Sequence, residues 1–315
     1  MNLHSDAREF LKSRRDRVTP QAAGLPSYGR NRRVPGLRRE EVALLAGVSV
    51  DYYTRLERGN LSGVSEEVLA AVAGALQLDE AERSHLFDLA KATNSQSLRR
   101  RNTRGATRAQ EKVRPEVQRI LDAMADTPAF ILTDRADMLT TNQLGRALFA
   151  PLYDSPVSPG TSGQAETVNI ARFTFLDPVA REFFPHWEHN AADLAASLRS
   201  TAGRHPHDTV FSNLIGELAT RSQDFAQLWA DHNVRLHRVG RKTLHHPIVG
   251  DLELDFETLI LPADPDQSLI VYSAAPGSDA AQNLRLLASW TVTGTDKTGT
   301  DRAFHPADDV LNLEE

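Results

Sequence analysis

The sequence predicts two domains of different class, an all-α unit of five helices followed by an α+β unit built on an antiparallel sheet. Three observations predict it. The stretch from Leu37 to Gly59 has the form of two short helices joined by a tight glycine-containing corner, a helix-turn-helix. Charge divides the chain: residues 1–114 hold 21 Lys+Arg against 14 Asp+Glu, and residues 115–315 hold 15 against 28, within a net charge of −6. Beyond residue 115, apolar runs of strand character flank a block of helical periodicity, hairpin first and meander last, which is an α+β order. A length of 315 residues accommodates two domains of ~100–200 residues each.

Helix signals come first. One helix spans roughly Ser5 to Arg17, with Phe10 and Leu11 inward; the next two run Arg38–Ala46 and Val50–Arg58. Ala43 is small where the paired helices must nearly touch, and Gly47 supplies the positive φ of the corner. Val48 plugs the corner, Ser49 caps the second helix, and Val42, Tyr53 and Leu56 form the shared apolar face. A fourth helix opens at Ser65, whose cap is followed by Glu66 and Glu67 at the positive end of the dipole. It carries Val68, Leu69, Val72 and Leu76, and a fifth, Asp79–Ala92, carries Leu86 and Leu89. An ordinary hairpin whose glycine merely ends a helix would not require all these residues at once. Residues 1–92 therefore form a helix-turn-helix DNA-binding domain, and residues 93–114, basic and without apolar period, a linker.

A helix pair at that angle sets its second helix in a DNA major groove. Val50, Asp51 and Arg55 are the base-edge candidates. Arg55 leads them, because a guanidinium bonds both acceptors of a guanine edge. Asp51 either accepts from cytosine or serves the helix as a cap or ion-pair partner. Arg39, Ser49 and Thr54 suit phosphates, while Arg30, Arg32 and Arg33 either track the DNA backbone or form a solvated basic loop. One such module covers a half-site, so the expected binder of an operator is a homodimer.

In the second domain, residues 115–290, Ala129–Asp134 and Met138–Thr141 read as a hairpin turning at Arg135 to Asp137, with Asn142 starting the next helix. Tyr153–Val168 is rich in Ser, Pro and Gly and reads as a flexible insertion. Helices follow at Ala191–Ala202, Thr209–Thr220 and Gln223–Asp231. Strands are expected around Arg235–Val239, Lys242–His245, Leu252–Phe256, Thr258–Leu261 and Leu269–Ala274, and a closing helix at Asp279–Trp290. Residues 291–315, with Thr-Gly-Thr-Asp repeats, read as a disordered tail.

Several strings resemble a known family. Leu11 to Arg17, Gly24-Leu-Pro26, Pro35 to Glu41, Tyr52-Tyr53 and Leu56-Glu-Arg-Gly59 resemble the xenobiotic-response-element (XRE) class of bacterial repressors in its MmyB-like branch. Asp126 to Phe130, Asn169-Ile-Ala-Arg-Phe173, Leu176-Asp-Pro178, Gly203-Arg-His-Pro206, Phe225 to His232, His246-Pro247 and Leu286 to Trp290 resemble that branch's ligand-binding domain. The resemblance implies a PAS-like domain, an antiparallel sheet cupping a pocket, with a fatty-acid-like ligand. The chain departs from the pattern at Tyr53, where Ile or Val is commoner in the general motif, in the Pro-free loop Asn60–Val64, and at Thr140-Thr141, where Ala-Trp is expected.

For a pocket the sequence offers Phe130, Leu132, Phe175, Phe183, Phe184, Trp187, Leu228 and Trp229 as a lining, although an aromatic-rich stretch of this kind is more often plain core. Asn142, Arg172, His232 and Arg235 are polar groups for an acidic head, with Arg172 either a carboxylate clamp or a surface ion pair. Eight of the eleven histidines fall between His186 and His246. Their spacing matches no hydrolase motif, so neither metal nor cofactor is expected. No phosphate loop, nucleophile elbow or Ser/His/Asp arrangement is present, and no enzyme is expected. Absent cysteine, absent apolar runs of ~18 residues and a polar start after Met1 predict a cytoplasmic protein with no membrane partner. The reading is a transcriptional regulator that binds operator DNA and senses a small apolar, fatty-acid-like molecule. Two alternatives remain: a regulator whose PAS-like domain only dimerises, and a His-rich metalloprotein tethered to DNA.

Overall fold

The computed structural model describes residues 3–25, 34–99, 112–161, 166–234 and 239–295. Arg30, Arg32, Arg33 and Arg235 lie outside them. Five helices form the N-terminal domain: α1 (Leu3–Arg17), α2 (Arg39–Leu45), α3 (Val50–Glu57), α4 (Glu66–Ala75) and α5 (Glu80–Arg99). The caps are local chemistry. Ser49 Oγ accepts from the Tyr52 amide at 3.1 Å and Ser65 Oγ from the Val68 amide at 3.3 Å, satisfying amides that have no partner within their helices. Gly47 takes φ +65° between α2 and α3, and the Val48 amide donates back to the Ala43 carbonyl at 3.0 Å. Phe10, Leu11, Leu37, Val42, Tyr53, Leu56 and Leu86 fill the space between the helices and are buried.

Here the basic stretch after residue 92 begins as helix rather than tether. α5 runs on to Arg99 because nothing between Ala92 and Arg99 breaks it. Thr93 donates its hydroxyl to the Leu89 carbonyl at 2.8 Å, and Asn94 accepts from the Gly63 amide at 2.8 Å, fastening this turn to the loop before α4. The rest of the expected linker, residues 100–111, lies outside the described residues.

The second domain is a six-stranded antiparallel sheet with helices on both sides. After α6 (Pro115–Ala123) come β1 (Ala129–Thr133), β2 (Asp137–Thr141), α7 (Gln143–Leu148), α8 (Ala150–Asp154), β3 (Val168–Asn169), α9 (Ile170–Leu176) and α10 (Val179–Phe183). Then follow α11 (Trp187–Arg204), α12 (Thr209–Arg221), α13 (Gln223–Ala230), β4 (Val239–His246), β5 (Gly250–Ile260), β6 (Gln267–Ser273) and α14 (Asp279–Thr295). The strand order β3-β2-β1-β6-β5-β4 is the one that places the first hairpin beside the last strand. Pairings Phe130↔Ile270 and Phe256↔Tyr272 put four large side chains on one face. Ala129, Ile131 and Leu269 point to the other, where Val117 and Leu121 of α6 cover them.

Several sequence expectations are corrected. The runs at 252–256 and 258–261 are one strand, since Glu257 pairs with Val271 and carries the ladder through. The segment Tyr153–Val168 is not a free insertion in its described parts: Tyr153 and Asp154 close α8, Ser158 is fully buried, and Asp137 holds the Thr161 amide at 2.8 Å. α6, α8, α9, α10 and β3 add to the expected elements. The sequence of α9, Ile-Ala-Arg-Phe-Thr-Phe-Leu, has strand-like composition, but Asn169 Oδ1 accepts from the Arg172 amide at 3.0 Å and starts a helix. α14 continues past Trp290 to Thr295, and residues 296–315 lie outside the described set. Among the described residues, no helix is long and apolar enough to cross a membrane.

The two domains touch through α1 and α5 on one side and α11, α13 and the turn after α13 on the other. Gly203 of α11 lies against His85 of α5 so closely that a Cβ there would stand 2.7 Å from the imidazole. His85 is buried, packed edge-on at 5.0 Å to Phe10, and burial with nearby Arg199 and Arg14 holds its pKa down to about 3.

A neutral buried histidine sets a pH dependence. Between about 3 and 6.5 the unfolded chain takes up a proton at His85 that the folded chain does not, so this residue's contribution is present above pH 6.5 and is lost as pH falls. Unfolding free energies from urea titrations between pH 7 and pH 4 should fall in the wild type at a slope approaching ~1.4 kcal/mol per pH unit from this group, and the slope should flatten in His85→Phe.

Candidate functional site

The exposed face of α3 is fixed from behind by a buried carboxylate. Glu57 accepts from Arg15 of α1 at 2.5 Å and from Arg39 of α2, while Arg15 also donates to the Leu37 carbonyl at 2.8 Å. Three helices thus share one carboxylate, and a buried carboxylate with two guanidinium partners is stable where an unpaired one would not be. Tyr53 fills the core beside it. Burial and the Glu57 charge push its phenol pKa up, and its hydroxyl has no hydrogen-bond partner among the described residues.

On the outer side Val50, Asp51 and Arg55 are all exposed. Asp51 lies in the first turn, where its charge suits the helix dipole, and the Arg55 guanidinium rests 5.0 Å over the Tyr52 ring. Ser49 is exposed with its oxygen engaged as the cap, and Thr54 is half-buried. Arg39 spends its Nε on Glu57, yet its side chain is 53% exposed. It is a structural tie as well as a surface cation, a double role its sequence position did not reveal.

In the second domain the sheet and α11 enclose a cavity of ≈ 240 Å³. Phe130, Phe256, Ile270 and Tyr272 form its floor, Leu194, Leu198 and Thr201 of α11 its roof, and Ile170, Thr174 and Phe184 a side wall. The cation inside is Lys242 of β4, whose ammonium lies 5.8 Å from the centres of both the Phe184 and Phe256 rings. Burial holds its pKa down to about 8, against an opposing pull from Asp193. Arg204 and Asp134, paired at 3.2 Å, add a charged end.

The structure sorts the sequence candidates. Phe130 and Leu132 line the cavity. Phe175, Phe183 and Trp187 do not; they stack edge-on within the core, and Trp187 Nε1 donates to the Thr174 carbonyl at 2.8 Å. Leu228 packs on the same core, and Trp229 stacks at 5.4 Å on Phe225. Arg172 is not a clamp: it pairs with Glu217 at 2.8 Å and donates to the Pro159 carbonyl, outside the cavity. Asn142 is spent on the backbone, its oxygen accepting from the Gly145 and Ala129 amides and its nitrogen donating to the Met124 and Thr127 carbonyls. His232 lies at the domain interface, 2.9 Å from Glu9 of α1. Lys242 was missed because strand alternation marks which side a residue faces and not whether that side is roofed.

The histidine-rich stretch resolves into separate contacts. His189 pairs with Asp193 at 3.5 Å, and His205 Nε2 stands 3.3 Å from both Asp134 and Asp266. These last three are the group of metal-capable atoms found among the described residues. Arg204 also sits on Asp134, so an ion-pair knot accounts for the arrangement.

Residues 113–287 match a family model described as the MmyB-like transcription regulator ligand binding domain, and residues 7–86 match a helix-turn-helix domain model. No curated protein matches the chain.

The Asn142 contacts predict a stability effect without a binding effect. Asn142→Ala leaves two amides and two carbonyls without that partner and should cost about 2–4 kcal/mol of unfolding free energy by denaturant titration.

Proposed function

The chain belongs to the MmyB-like transcription regulators, and on that premise we propose a one-component switch in which an elongated apolar acid occupies the sheet cavity. It is a DNA-binding transcription regulator with a ligand-binding domain. The observation that carries the finer reading is the cavity itself, aromatic and aliphatic on its floor, leucines among hydroxyls on its roof, and one ammonium inside. An apolar floor with polar groups converging on it suits a ligand site. It supports sensing over a domain used only for dimerisation.

In this reading Lys242 holds the acidic head, the part expected of Arg172. A carboxylate would add a close counter-charge to an ammonium on which Asp193 already pulls. The chain lies along Phe130, Phe256 and Ile270, gaining ~0.8 kcal/mol per buried CH₂. On DNA, Val50, Asp51 and Arg55 face base edges, with Arg39, Ser49 and Thr54 on phosphates, in a homodimer whose half-sites stand ~34 Å apart or a multiple of that.

Two measurements test this. On an operator recovered by selection from random DNA, Arg55→Ala should lose ~1–3 kcal/mol and relax one base pair. Arg39→Ala should weaken every sequence alike, flatten the salt dependence, and also lower the melting temperature because Glu57 loses a partner. Equal losses on operator and scrambled DNA for Arg55→Ala would remove it from base reading.

For the ligand, decanoic and hexadecanoic acids should raise the melting temperature of the wild type and of Arg172→Ala, and do so weakly in Lys242→Met. Affinity should fall above pH ~8 as Lys242 loses its proton. No response to either acid in the wild type would sink the ligand class, and an undiminished one in Lys242→Met would sink the anchor.

A further inference from the structure

We propose that α11 is the coupling element of the protein: its one face reports cavity occupancy and its opposite face latches the helix-turn-helix domain through Arg199. This rests on the sensing reading above. Asn190, Leu194, Ser197, Leu198, Thr201 and Arg204 line the cavity, and their spacing puts them on one stripe of the helix. At about 100° per residue, Arg199 and Gly203 lie roughly 180° away from that stripe.

That far face holds one tight contact, at Gly203, beside an open cleft of ≈ 560 Å³ lined by Arg199, Asp6, Glu9, Trp229 and His232. Gly203 is in backbone contact with the His85 ring of α5, and close-packed surfaces transmit displacement instead of absorbing it. Arg199 beside it is buried, its guanidinium 3.8 Å over the Trp229 ring, donating to the Trp229 carbonyl and 3.9 Å from Asp6 of α1. A second tie runs in parallel: Glu9 meets His232 at 2.9 Å, and Arg14 donates to the His232 carbonyl.

The latch is built to open. Arg199 Nε and Arg14 Nη1 are buried without a hydrogen-bond partner among the described residues. Separation would return these groups to water, so the contact between the domains gives up less on opening than an apolar one would. The cavity supplies the force. Its ≈ 240 Å³ lies below the ~300–1,000 Å³ of typical ligand sites, so a long acid would press on its walls. Its floor is a hydrogen-bonded sheet and its roof a single helix, an element of the kind that shifts by ~1–2 Å in switching transitions. Outward movement of α11 presses Gly203 on α5, and the helix-turn-helix domain, levered by that contact, tilts Asp6 away from Arg199.

The chain has no cysteine, so spin labels at Glu67→Cys and Arg119→Cys report the distance between the domains in the full-length protein. The untreated protein should give one narrow distribution. Arg199→Met, or Asp6→Asn with Glu9→Gln should Arg199→Met fail to fold, should add a longer population with no additive. Ser197→Trp, which fills the cavity from α11, should do the same. Hexadecanoic acid should produce that population in the labelled wild type and change operator affinity by 5–150-fold, with the change reduced towards none in Arg199→Met. A single narrow distribution in all the variants overturns the latch. So does hexadecanoic acid that raises the melting temperature yet moves neither distance nor operator affinity, and that result spares the ligand reading. Should the acid fail to bind while Ser197→Trp and Arg199→Met still redistribute the domains, the latch stands and the ligand class falls.

Discussion

The register of the central strands is the constraint on which the second domain depends. β1, β6 and β5 pair so that Phe130, Ile270, Phe256 and Tyr272 share a face. A slip of one residue in any of the three strands would turn its members outwards. That shared face is both the core and the cavity floor. It also decides where Lys242 goes, because β4 pairs with β5 through Lys242↔Leu254 and Arg241↔Asp255. Lys242 therefore enters the cavity while its neighbour Arg241 is exposed with Glu253 and Asp255. One alternation thus produces a polar anchor on one side and a solvated ion-pair cluster on the other.

The N-terminal domain was legible because its logic is local. Gly47, Ala43, Ser49 and Ser65 each do their work within a few residues, and a sequence displays such spacing directly. The second domain was legible in its hairpin, its long helices and its antiparallel order, where periodicity is sustained. It was not legible in α9, whose apolar composition suits a strand and whose helix depends on one asparagine cap. Nor was the cavity. Arg172 and Lys242 are both single basic residues among apolar ones, and what separates them is long-range: Glu217 lies 45 residues from Arg172 in the chain yet pairs with it. Asn142 shows the same limit from the other side, since its role as a cap was readable and its saturation by four backbone groups was not.

Buried charge is handled differently in the two places where it matters. Glu57 in the helix-turn-helix is closed from several sides by Arg15 and Arg39, and its geometry ties three helices into one unit. At the domain interface, Arg14, Arg199, His85 and His232 are gathered with partners that leave several nitrogens unsatisfied. Burial accordingly holds the Arg199 pKa down to about 10 and that of His232 to about 4. The first arrangement rigidifies. The second tolerates separation, because water can serve the exposed groups better than the interface does.

That contrast bears on how a ligand can act at all. A molecule that binds both arrangements of the domains equally shifts neither, however tightly it is held. The differential must come from a contact that differs between the arrangements, and α11 is the element that belongs to the cavity and to the interface at once. If docked and released forms differ by a few kcal/mol, the minor form is populated at ~0.1–10%, and a ligand need only favour it by a comparable amount. A saturated, apolar interface would put that gap out of reach of a small acid. An interface of imperfectly satisfied arginines and histidines keeps it within reach, and so the groups that look like defects in the packing are the ones a switch of this design requires.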